Sequence, residues 1–140
     1  MKILLATDGS RFSTRAASYL AKYRGVFGTT KQIVLLYVDP LLPRSIEAEW
    51  DPEEAARYHA EAAHAAMRTA KAALKRARLL FGEKVLIGDP ASTIVDVAKR
   101  GKFALIVMGS HGRSALASLV LGSVTAQVIA HCTIPVLVVR

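Results

Sequence analysis

Five short runs of apolar residues recur along the chain, at residues 2–7, 32–38, 84–87, 103–108 and 135–139. They are rich in Val, Ile and Leu, and most of them are continuous rather than alternating with polar residues. Continuous runs of this length are typical of strands that are covered on both faces of a sheet. We therefore predict five buried β-strands.

Helical patterns separate the first three strands. One helix is predicted to begin at Ser10 and to continue to about Gly25. Another begins at the capping residue Asp51, which is followed by a proline and two acidic residues, and it continues to about Leu80. We expect Gly82 to end this second helix.

Two further helices are predicted in the second half of the chain. Asp89 and Pro90 repeat the signal for a helix start, and this helix is expected to end near residues 100–101. Ser123 begins the last helix, which ends before Pro135. Because strands alternate with helices, the sequence predicts an α/β fold with a parallel sheet and right-handed crossovers.

The domain organisation is simple. A chain of 140 residues has the length of one ordinary domain and buries about two-thirds of its unfolded surface. We find no internal repeat or linker, so residues 1–140 are expected to form a single domain. The longest irregular stretch, residues 39–50, has the length of a lid, a binding loop or a partner contact. Within it, Trp50 is compatible with either a partner contact or a hydrophobic anchor.

The chain is strongly basic, with a formal net charge of +8. Such a charge attracts polyanions such as nucleotides, nucleic acids or anionic membranes. Many of the cations lie in one stretch, which also reads as a solvated helix end: Arg68, Lys71, Lys75, Arg76, Arg78 and Lys84. No apolar run approaches the roughly 20 residues that span a bilayer. A single cysteine, Cys132, favours a reducing, cytoplasmic location.

The segment after the fourth strand carries the candidate chemistry. Gly109 and Gly112 follow the strand, and after nine further residues Gly122 begins a helix. Glycine permits positive φ angles and close approach of the backbone to a ligand. A helix N-terminus offers amide groups and a partial positive charge to an anion. The alternative is that these glycines only turn the chain, but their spacing favours a phosphate site.

Polar side chains in this segment could add to such a site. Ser110, Ser123 and Thr125 carry hydroxyl donors, and Arg113 adds a positive charge. Two orientations of His111 fit the pattern equally well, one toward solvent and one toward a phosphate. Neither the G-x-G-x-x-G dinucleotide motif nor the P-loop motif with its lysine is present.

The stretch "MGSHGRSALASLVLGSVTAQVIAHCTIPVLVV", residues 108–139, strongly resembles the universal stress proteins. It matches their nucleotide-binding pattern G-x-x-G-x(9)-G-[ST] at each fixed position. Residues 1–10, "MKILLATDGS", and residues 88–100, "GDPASTIVDVAKR", are also similar to the family, so the resemblance covers the whole chain. Arg113 stands where the family has a basic or variable residue, and residues 39–50 form a variable region.

The resemblance implies a three-layer, doubly wound α/β fold of the adenine nucleotide alpha hydrolase-like type. Its five-stranded parallel sheet would have the order 3-2-1-4-5. The carboxyl ends of strands 1 and 4 would then border the crevice in which open α/β sheets bind ligands. Asp8 ends strand 1 and Gly109 ends strand 4, so both are expected at this crevice.

By the same resemblance, Asp8 would accept hydrogen bonds from the ribose, although Asp8-Gly9-Ser10 is also a good turn sequence. Val38 would offer backbone groups to adenine, and Thr7 and Met108 would line the base, although core packing alone would also explain Met108. Together with the glycine segment, the full predicted site is Thr7, Asp8, Val38, Met108, Gly109, Ser110, His111, Gly112, Arg113, Gly122, Ser123, Val124 and Thr125.

We therefore predict a protein that binds ATP, or ADP or AMP, with Mg²⁺ as a companion ion that hydroxyls and water would hold. We see no catalytic constellation, because Asp8 is the only nearby carboxylate, so slow or no hydrolysis is expected. Two alternatives remain: a basic nucleic-acid-binding protein, and a weak ATPase on the same scaffold.

The last strand, from Ile134 to Val139, would lie at an edge of the sheet in the implied order. It is apolar and carries no charge before Arg140, which is unfavourable for an uncovered edge. The resemblance implies that it pairs with its own copy, so we expect a homodimer. His59 and His64 lie about 140° apart around a helix and do not suggest a metal pair.

Overall fold

The computed structural model describes residues 1–28, 32–113 and 120–140. The strands are β1 (Lys2–Ala6), β2 (Gln32–Asp39), β3 (Phe81–Ile87), β4 (Leu105–Gly109) and β5 (Val136–Val139). The helices are α1 (Arg11–Lys22), α2 (Arg44–Glu47), α3 (Pro52–Arg76), α4 (Pro90–Arg100) and α5 (Ser123–His131). Among these helices, none combines the length and the apolar composition that crossing a membrane requires.

The five strands form one parallel sheet in the order β3-β2-β1-β4-β5, which confirms the predicted topology. At the centre of the sheet, Leu4 of β1 is in register with Val34 of β2 and with Ile106 of β4. The chain leaves β1 toward one edge and β4 toward the other. The carboxyl ends of these two neighbouring strands therefore border a crevice at the top of the sheet.

Two apolar layers hold the helices against the sheet. On one face, α1 and α3 pack through residues such as Leu20 and Leu74 on Ile3 and Leu35 of the strands. On the other face, α4 and α5 pack through Ile94 and Val128, together with strand residues such as Leu4, Leu36 and Met108. These side chains are buried, so the doubly wound, three-layer architecture is confirmed.

The boundary between α3 and β3 differs from the prediction. The helix ends at Arg76 rather than near Leu80, and the chain reverses at Arg78, whose φ angle is +55°. Gly82 does not end a helix, because it lies inside β3, in register with Val34. Because β3 pairs with β2 along the whole length of β3, the strand starts at Phe81. This is three residues before the apolar run at residues 84–87.

The expectation that all five strands are covered on both faces is wrong for β3. Most of its residues are exposed, including Val85 at 43% and Ile87 at 49%. β5, at the opposite edge, is half-buried along its length. The helices pack mainly over the central strands, so the faces of the two edge strands are less covered. The irregular stretch also contains a short helix, α2, that the sequence did not predict.

The start of α4 offers a test of local stability. Asp89 accepts hydrogen bonds from the Ser92 amide at 3.0 Å and the Ser92 hydroxyl at 2.8 Å, and these bonds lower the pKa of Asp89 below its ordinary value of 3.8. Asp89→Ala is expected to reduce the free energy of unfolding by about 1 kcal/mol at neutral pH. Urea denaturation of both proteins measures this difference.

The effect of Asp89→Ala should depend on pH. Because folding lowers the pKa, the stabilisation is present above the unfolded carboxyl's pKa and is lost as the pH falls through the folded value. The stability difference between the two proteins should therefore narrow as the pH falls below 3.8. Asp89→Asn is the matched control, since asparagine also caps helices well. A gap between Asp89→Ala and the unchanged chain that keeps its full neutral-pH size in acid would contradict this assignment.

Candidate functional site

A cavity of about 450 Å³ opens at the carboxyl ends of β1, β2 and β4. This volume lies within the range of pockets that hold small ligands. Its lining consists of Ala6, Thr7, Asp8, Ser13, Leu36, Val38, Pro40, Pro90, Ile94, Met108, Gly109, His111, Gly112, Arg113, Gly122, Ser123, Val124 and Thr125. The cavity therefore occupies the crevice that the strand order predicts for ligands.

Asp8 follows β1 directly and has two contacts of different kinds. Its Oδ1 accepts a hydrogen bond from the Ser10 amide at 2.9 Å, across a turn in which Gly9 has a φ angle of +81°. Its Oδ2 faces the glycine segment, because a Cβ built on Gly112 would lie 2.9 Å from it. The turn contact is thus present, and the carboxylate also lines the cavity.

One side of the cavity is apolar. Leu36 and Val38 of β2, Ile94 of α4 and Met108 of β4 line it, and all four also belong to the core under α4. Met108 is therefore both a packing residue and a lining residue. Thr7 lies nearby, but its hydroxyl donates toward the Ala66 carbonyl at 3.2 Å, which anchors the end of β1 on α3.

The three glycines of the motif serve close approach rather than unusual backbone angles. None of them is among the residues with positive φ in the described ranges. A Cβ on Gly109 would lie 2.6 Å from the carbonyl carbon of Phe12 in α1, and one on Gly122 would lie 3.0 Å from the His111 Cα. The first is a packing requirement of the fold, whereas the second keeps the two ends of the glycine segment together. Residues 114–119 of the intervening spacer lie outside the described residues.

The amide groups of the glycine segment divide into two sets. The Gly122 amide donates to the Ser110 carbonyl at 2.8 Å, and the Ser110 amide donates to the Val139 carbonyl at 2.8 Å. These two amides are committed within the protein. The first turn of α5 follows, and its N-cap residue Gly122 provides no side-chain cap. Helical geometry leaves the first amides without an intrahelical acceptor, and Ser123, Val124 and Thr125 line the cavity.

The hydroxyl groups of the segment differ in their availability. Thr125 Oγ1 donates to the Gly109 carbonyl at 2.9 Å, which ties α5 to the end of β4. Ser110 is fully buried, does not line the cavity, and shares a hydrogen bond of 2.9 Å with Nδ1 of His111. Ser123 is exposed at the start of α5. Of the three predicted hydroxyls, Ser123 is therefore the one placed to contact a ligand.

Two basic side chains border the cavity. The His111 ring packs on Phe12 of α1, with 4.9 Å between the ring centroids, so the ring is held at the cavity wall. Arg113 lies close enough to Tyr37 to affect its ionisation. Burial raises the pKa of the Tyr37 hydroxyl, the neighbouring Asp39 carboxylate raises it further, and the Arg113 guanidinium opposes the shift. Tyr37 therefore stays protonated and donates at neutral pH.

Sequence reasoning did not find a buried polar cluster beside the cavity. The Asp39 carboxylate accepts a hydrogen bond from the Tyr37 hydroxyl at 3.1 Å and lies 2.5 Å from Nδ1 of His59 in α3. Asp39 is only 3% exposed, so these partners offset the cost of burying its charge. The cluster fixes the end of β2 on α3, immediately before Pro40 at the cavity rim. No local sequence signal joins Asp39 to His59, which lies 20 residues away.

Twelve of the thirteen predicted site residues line this one cavity, and Ser110 is the exception. The lining residues that the prediction missed are Ala6, Ser13, Leu36, Pro40, Pro90 and Ile94. Leu36 and Ile94 follow from the apolar pattern of β2 and α4, because both belong to the core. Pro90 follows from the start signal of α4, which lies at the carboxyl edge of the sheet.

A model of the universal stress protein family matches residues 1–140 of the chain. The chain belongs to the universal stress protein family. Universal stress protein MJ0531 of Methanocaldococcus jannaschii is 32% identical over 140 residues, which are 99% of this chain and 81% of that protein. The solved structure of MJ0577 superposes with a TM-score of 0.81 at 32% identity, over 99% of this chain and 94% of that one. The fold is the adenine nucleotide alpha hydrolase-like fold of these proteins.

Two further solved structures contain adenine nucleotides. A universal stress protein in complex with cAMP has a TM-score of 0.72 at 23% identity, over 100% of this chain and 97% of that one. A universal stress protein family protein from Arabidopsis thaliana with AMP bound has a TM-score of 0.67 at 17% identity, over 99% of this chain and 90% of that one. At these identities the likeness concerns the fold alone.

Proposed function

We propose that this universal stress protein binds ATP, or the related ADP or AMP, in the cavity at the carboxyl ends of β1, β2 and β4. The supporting observation is the shape of the cavity, which joins an apolar wall to the uncapped first turn of α5. The bound cAMP and AMP of the two structurally similar proteins support the same chemistry. The nucleotide would act as a structural or regulatory ligand, in one domain formed by residues 1–140.

Each part of the nucleotide has a proposed partner. The adenine ring would lie against Val38 and Met108, with the backbone at the end of β2 supplying hydrogen bonds to its edge. The ribose hydroxyls would donate to Asp8, whose Oδ2 faces the glycine segment. Because Oδ1 already accepts from the Ser10 amide, the turn holds this carboxylate in place for the ribose.

The phosphates would lie at the N-terminus of α5. Its first amides and the partial positive charge of the helix favour an anion there. The Ser123 hydroxyl and the Arg113 guanidinium would donate hydrogen bonds to the charged phosphates. Such charge-assisted hydrogen bonds contribute about 1.5–3 kcal/mol each. The His111 ring borders the same space. Gly109 and Gly112 would contribute by leaving this side of the cavity free of side chains.

Slow or no hydrolysis is proposed because a general base is lacking. Asp8 is the one carboxylate among the lining residues of the described chain, and the ribose would engage it. Rapid hydrolysis needs a group that orients the attacking water and a metal that neutralises the developing charge. Mg²⁺ would be held by the phosphates, water and the Ser123 hydroxyl, which supports binding rather than turnover.

The direct test is to identify the ligand by mass analysis of small molecules that co-purify with the protein. Calorimetric titration with ATP, with and without Mg²⁺, should then show saturable binding at one site per chain. ATP turnover should stay far below the 10 per second or so that is typical of enzymes. Salt-dependent binding of DNA or RNA, seen as a shift in electrophoretic mobility, without ATP binding would instead favour the nucleic-acid alternative.

We also propose that the protein forms a homodimer through β5 and resides in the cytoplasm. β5 lies at the edge of the sheet and is only half-buried, and Ile129 on the adjacent α5 is 44% exposed. Pairing β5 with its copy would cover an apolar edge that otherwise invites aggregation.

Val138→Glu tests the dimer. Pairing of the two β5 edges would bury the new carboxylate of each copy at an apolar interface, so the substitution should convert the dimer into a monomer. Sedimentation at micromolar concentration measures this change. Val26→Glu is the control, because Val26 is 78% exposed and lies between α1 and β2 in the chain, and β1 and β4 separate β2 from β5. A monomer already present without substitution would overturn the proposal.

A further inference from the structure

A second groove lies on the α4 face of the sheet, at the edge formed by β3. On this face, α4 packs over the centre of the sheet, with Ala98 and Val95 among the fully packed residues. The residues of β3 that share this face are in register with buried positions of β2: Lys84 pairs with Leu36, and Leu86 with Val38. Because Lys84 is exposed and Leu86 only half-buried, the sheet is left open between α4 and β3.

This opening is a cavity of about 540 Å³, which we call the α4–β3 groove. Its lining is Lys2, Val34, Lys84, Leu86, Thr93, Asp96, Val97, Arg100, Gly101 and Phe103. Its apolar part consists of Phe103 and of three residues at the margin of the core, Val34, Leu86 and Val97. A ligand that covers these three side chains would remove apolar surface from water, which favours binding.

The charged residues of the groove are unbalanced. Three cations, Lys2, Lys84 and Arg100, border it, together with one acid, Asp96. The Lys2 Nζ donates to the Gly101 carbonyl at 2.7 Å and lies 4.6 Å from the centre of the Phe103 ring. Within the described residues, neither Lys84 nor Arg100 forms a salt bridge. The groove therefore presents a net positive charge next to an apolar floor.

The groove is separate from the proposed nucleotide site. The two cavities share no lining residue. Pro90 and Ile94, in the first half of α4, line the nucleotide cavity, whereas Val97 and Arg100, in the second half, line the groove. A ligand in the groove would thus contact the same helix at a different place, and its binding does not depend on the proposed function.

We propose that the α4–β3 groove binds a small amphiphilic carboxylate, with its apolar body on Val34, Leu86 and Val97 and its carboxylate among Lys84, Arg100 and Lys2. The volume lies within the range of small-ligand sites. A purely inorganic anion would leave the apolar floor exposed, and a neutral apolar molecule would leave the cations unused. Both parts of the groove are matched only by a ligand that has an apolar body and a negative head group.

Decanoate is the probe for this proposal, used below its micelle-forming concentration. Calorimetry should show saturable binding of decanoate at one site per chain. Decanol and decyltrimethylammonium have the same chain length but a neutral and a positive head group, and each should bind at least about tenfold more weakly. Methyl NMR signals of Val34, Leu86 and Val97 should shift on addition of decanoate, and saturating ATP should not displace it.

Charge reversal tests the role of the cations. The double variant Lys84→Glu/Arg100→Glu should bind decanoate at least about tenfold more weakly than the unchanged chain. Both residues are exposed, so the fold should be retained. The matched control is Arg68→Glu/Lys75→Glu, which changes the net charge equally at exposed positions of α3. This control should keep the decanoate affinity of the unchanged chain.

Four outcomes would overturn the proposal. Equal affinity of the charge-reversed variant for decanoate would remove the cations from the site. Equal affinity for decanol would indicate an apolar cavity without selection for anions. Displacement of decanoate by ATP would place it in the nucleotide cavity. An absence of decanoate binding would overturn it outright, and dimers that Lys84→Glu/Arg100→Glu dissociates would then show that a second copy of the chain occupies the groove.

Discussion

Gly122→Val is expected to weaken ATP binding by at least about 100-fold, which corresponds to about 2.7 kcal/mol. A Cβ at this position would lie 3.0 Å from the His111 Cα and 3.4 Å from the Gly112 amide nitrogen. The two branches of valine would extend further into this space and separate α5 from the glycine segment. The phosphates would then lose their simultaneous contact with the α5 amides and with Arg113. Calorimetric titration with ATP measures the change.

The fold should survive this substitution, because Gly122 has an extended conformation, with φ −70° and ψ 157°, that other residues also adopt. Gly25→Val is the matched control, since a Cβ there would meet nothing within 4 Å. Circular dichroism should give the same spectrum for both variants and for the unchanged chain. An ATP affinity that Gly122→Val leaves unchanged would mean that the phosphates bind elsewhere.

Gly109→Ala is expected to act on the fold, and to lower the free energy of unfolding by roughly 2–3 kcal/mol. Its Cβ would lie 2.6 Å from the carbonyl carbon of Phe12 and 2.8 Å from the amide nitrogen of Ser13. Both are backbone atoms of α1, so the strain can be relieved only if the helix moves away from β4. Urea denaturation measures the loss of stability.

Gly82→Ala provides the comparison for this second variant. Gly82 also lies in a strand, but its Cβ would have only an ordinary contact, 4.0 Å from Val34 Cγ2. We therefore expect this variant to be as stable as the unchanged chain or slightly more so. If Gly109→Ala were equally stable and lost only ATP affinity, Gly109 would serve the ligand rather than the packing of α1 on the sheet.

These two predictions separate two roles that one sequence motif combines. The spacing of the three glycines indicates a phosphate site, and the structure places all three at the same cavity. The requirement at Gly109 comes from Phe12, which lies in a helix almost 100 residues earlier in the chain. The motif alone does not reveal this contact, so the interpretation of its glycines as ligand contacts alone was incomplete.

The polar residues of the segment illustrate the same limit. Ser110, Ser123 and Thr125 are equivalent hydroxyl donors in the sequence. In the structure, Ser110 is fully buried beside His111, Thr125 donates to the Gly109 carbonyl, and Ser123 alone of the three is exposed. Their different surroundings arise from how α5 packs on β4, which depends on contacts between elements rather than on local composition.

The sequence by itself determined most of the elements and the place of the cavity at the carboxyl ends of the strands. Continuous apolar runs marked the place of each of the five strands, although β3 is mostly exposed and begins three residues before its run. Asp51 and Asp89 marked the starts of α3 and α4, and both act as N-caps through hydrogen bonds to nearby amides. Capping and burial patterns are local, since they involve residues a few positions apart. The helix starts and the strands can therefore be predicted from the sequence.

Tertiary structure alone decided the contacts that join distant residues. It extended β3 to Phe81 through pairing with β2, and it brought His59 against Asp39. It also left the α4–β3 groove open between an edge strand and a helix. Each of these features depends on which elements become neighbours. Which elements become neighbours depends on the packing of the whole core, and no short stretch of residues determines it.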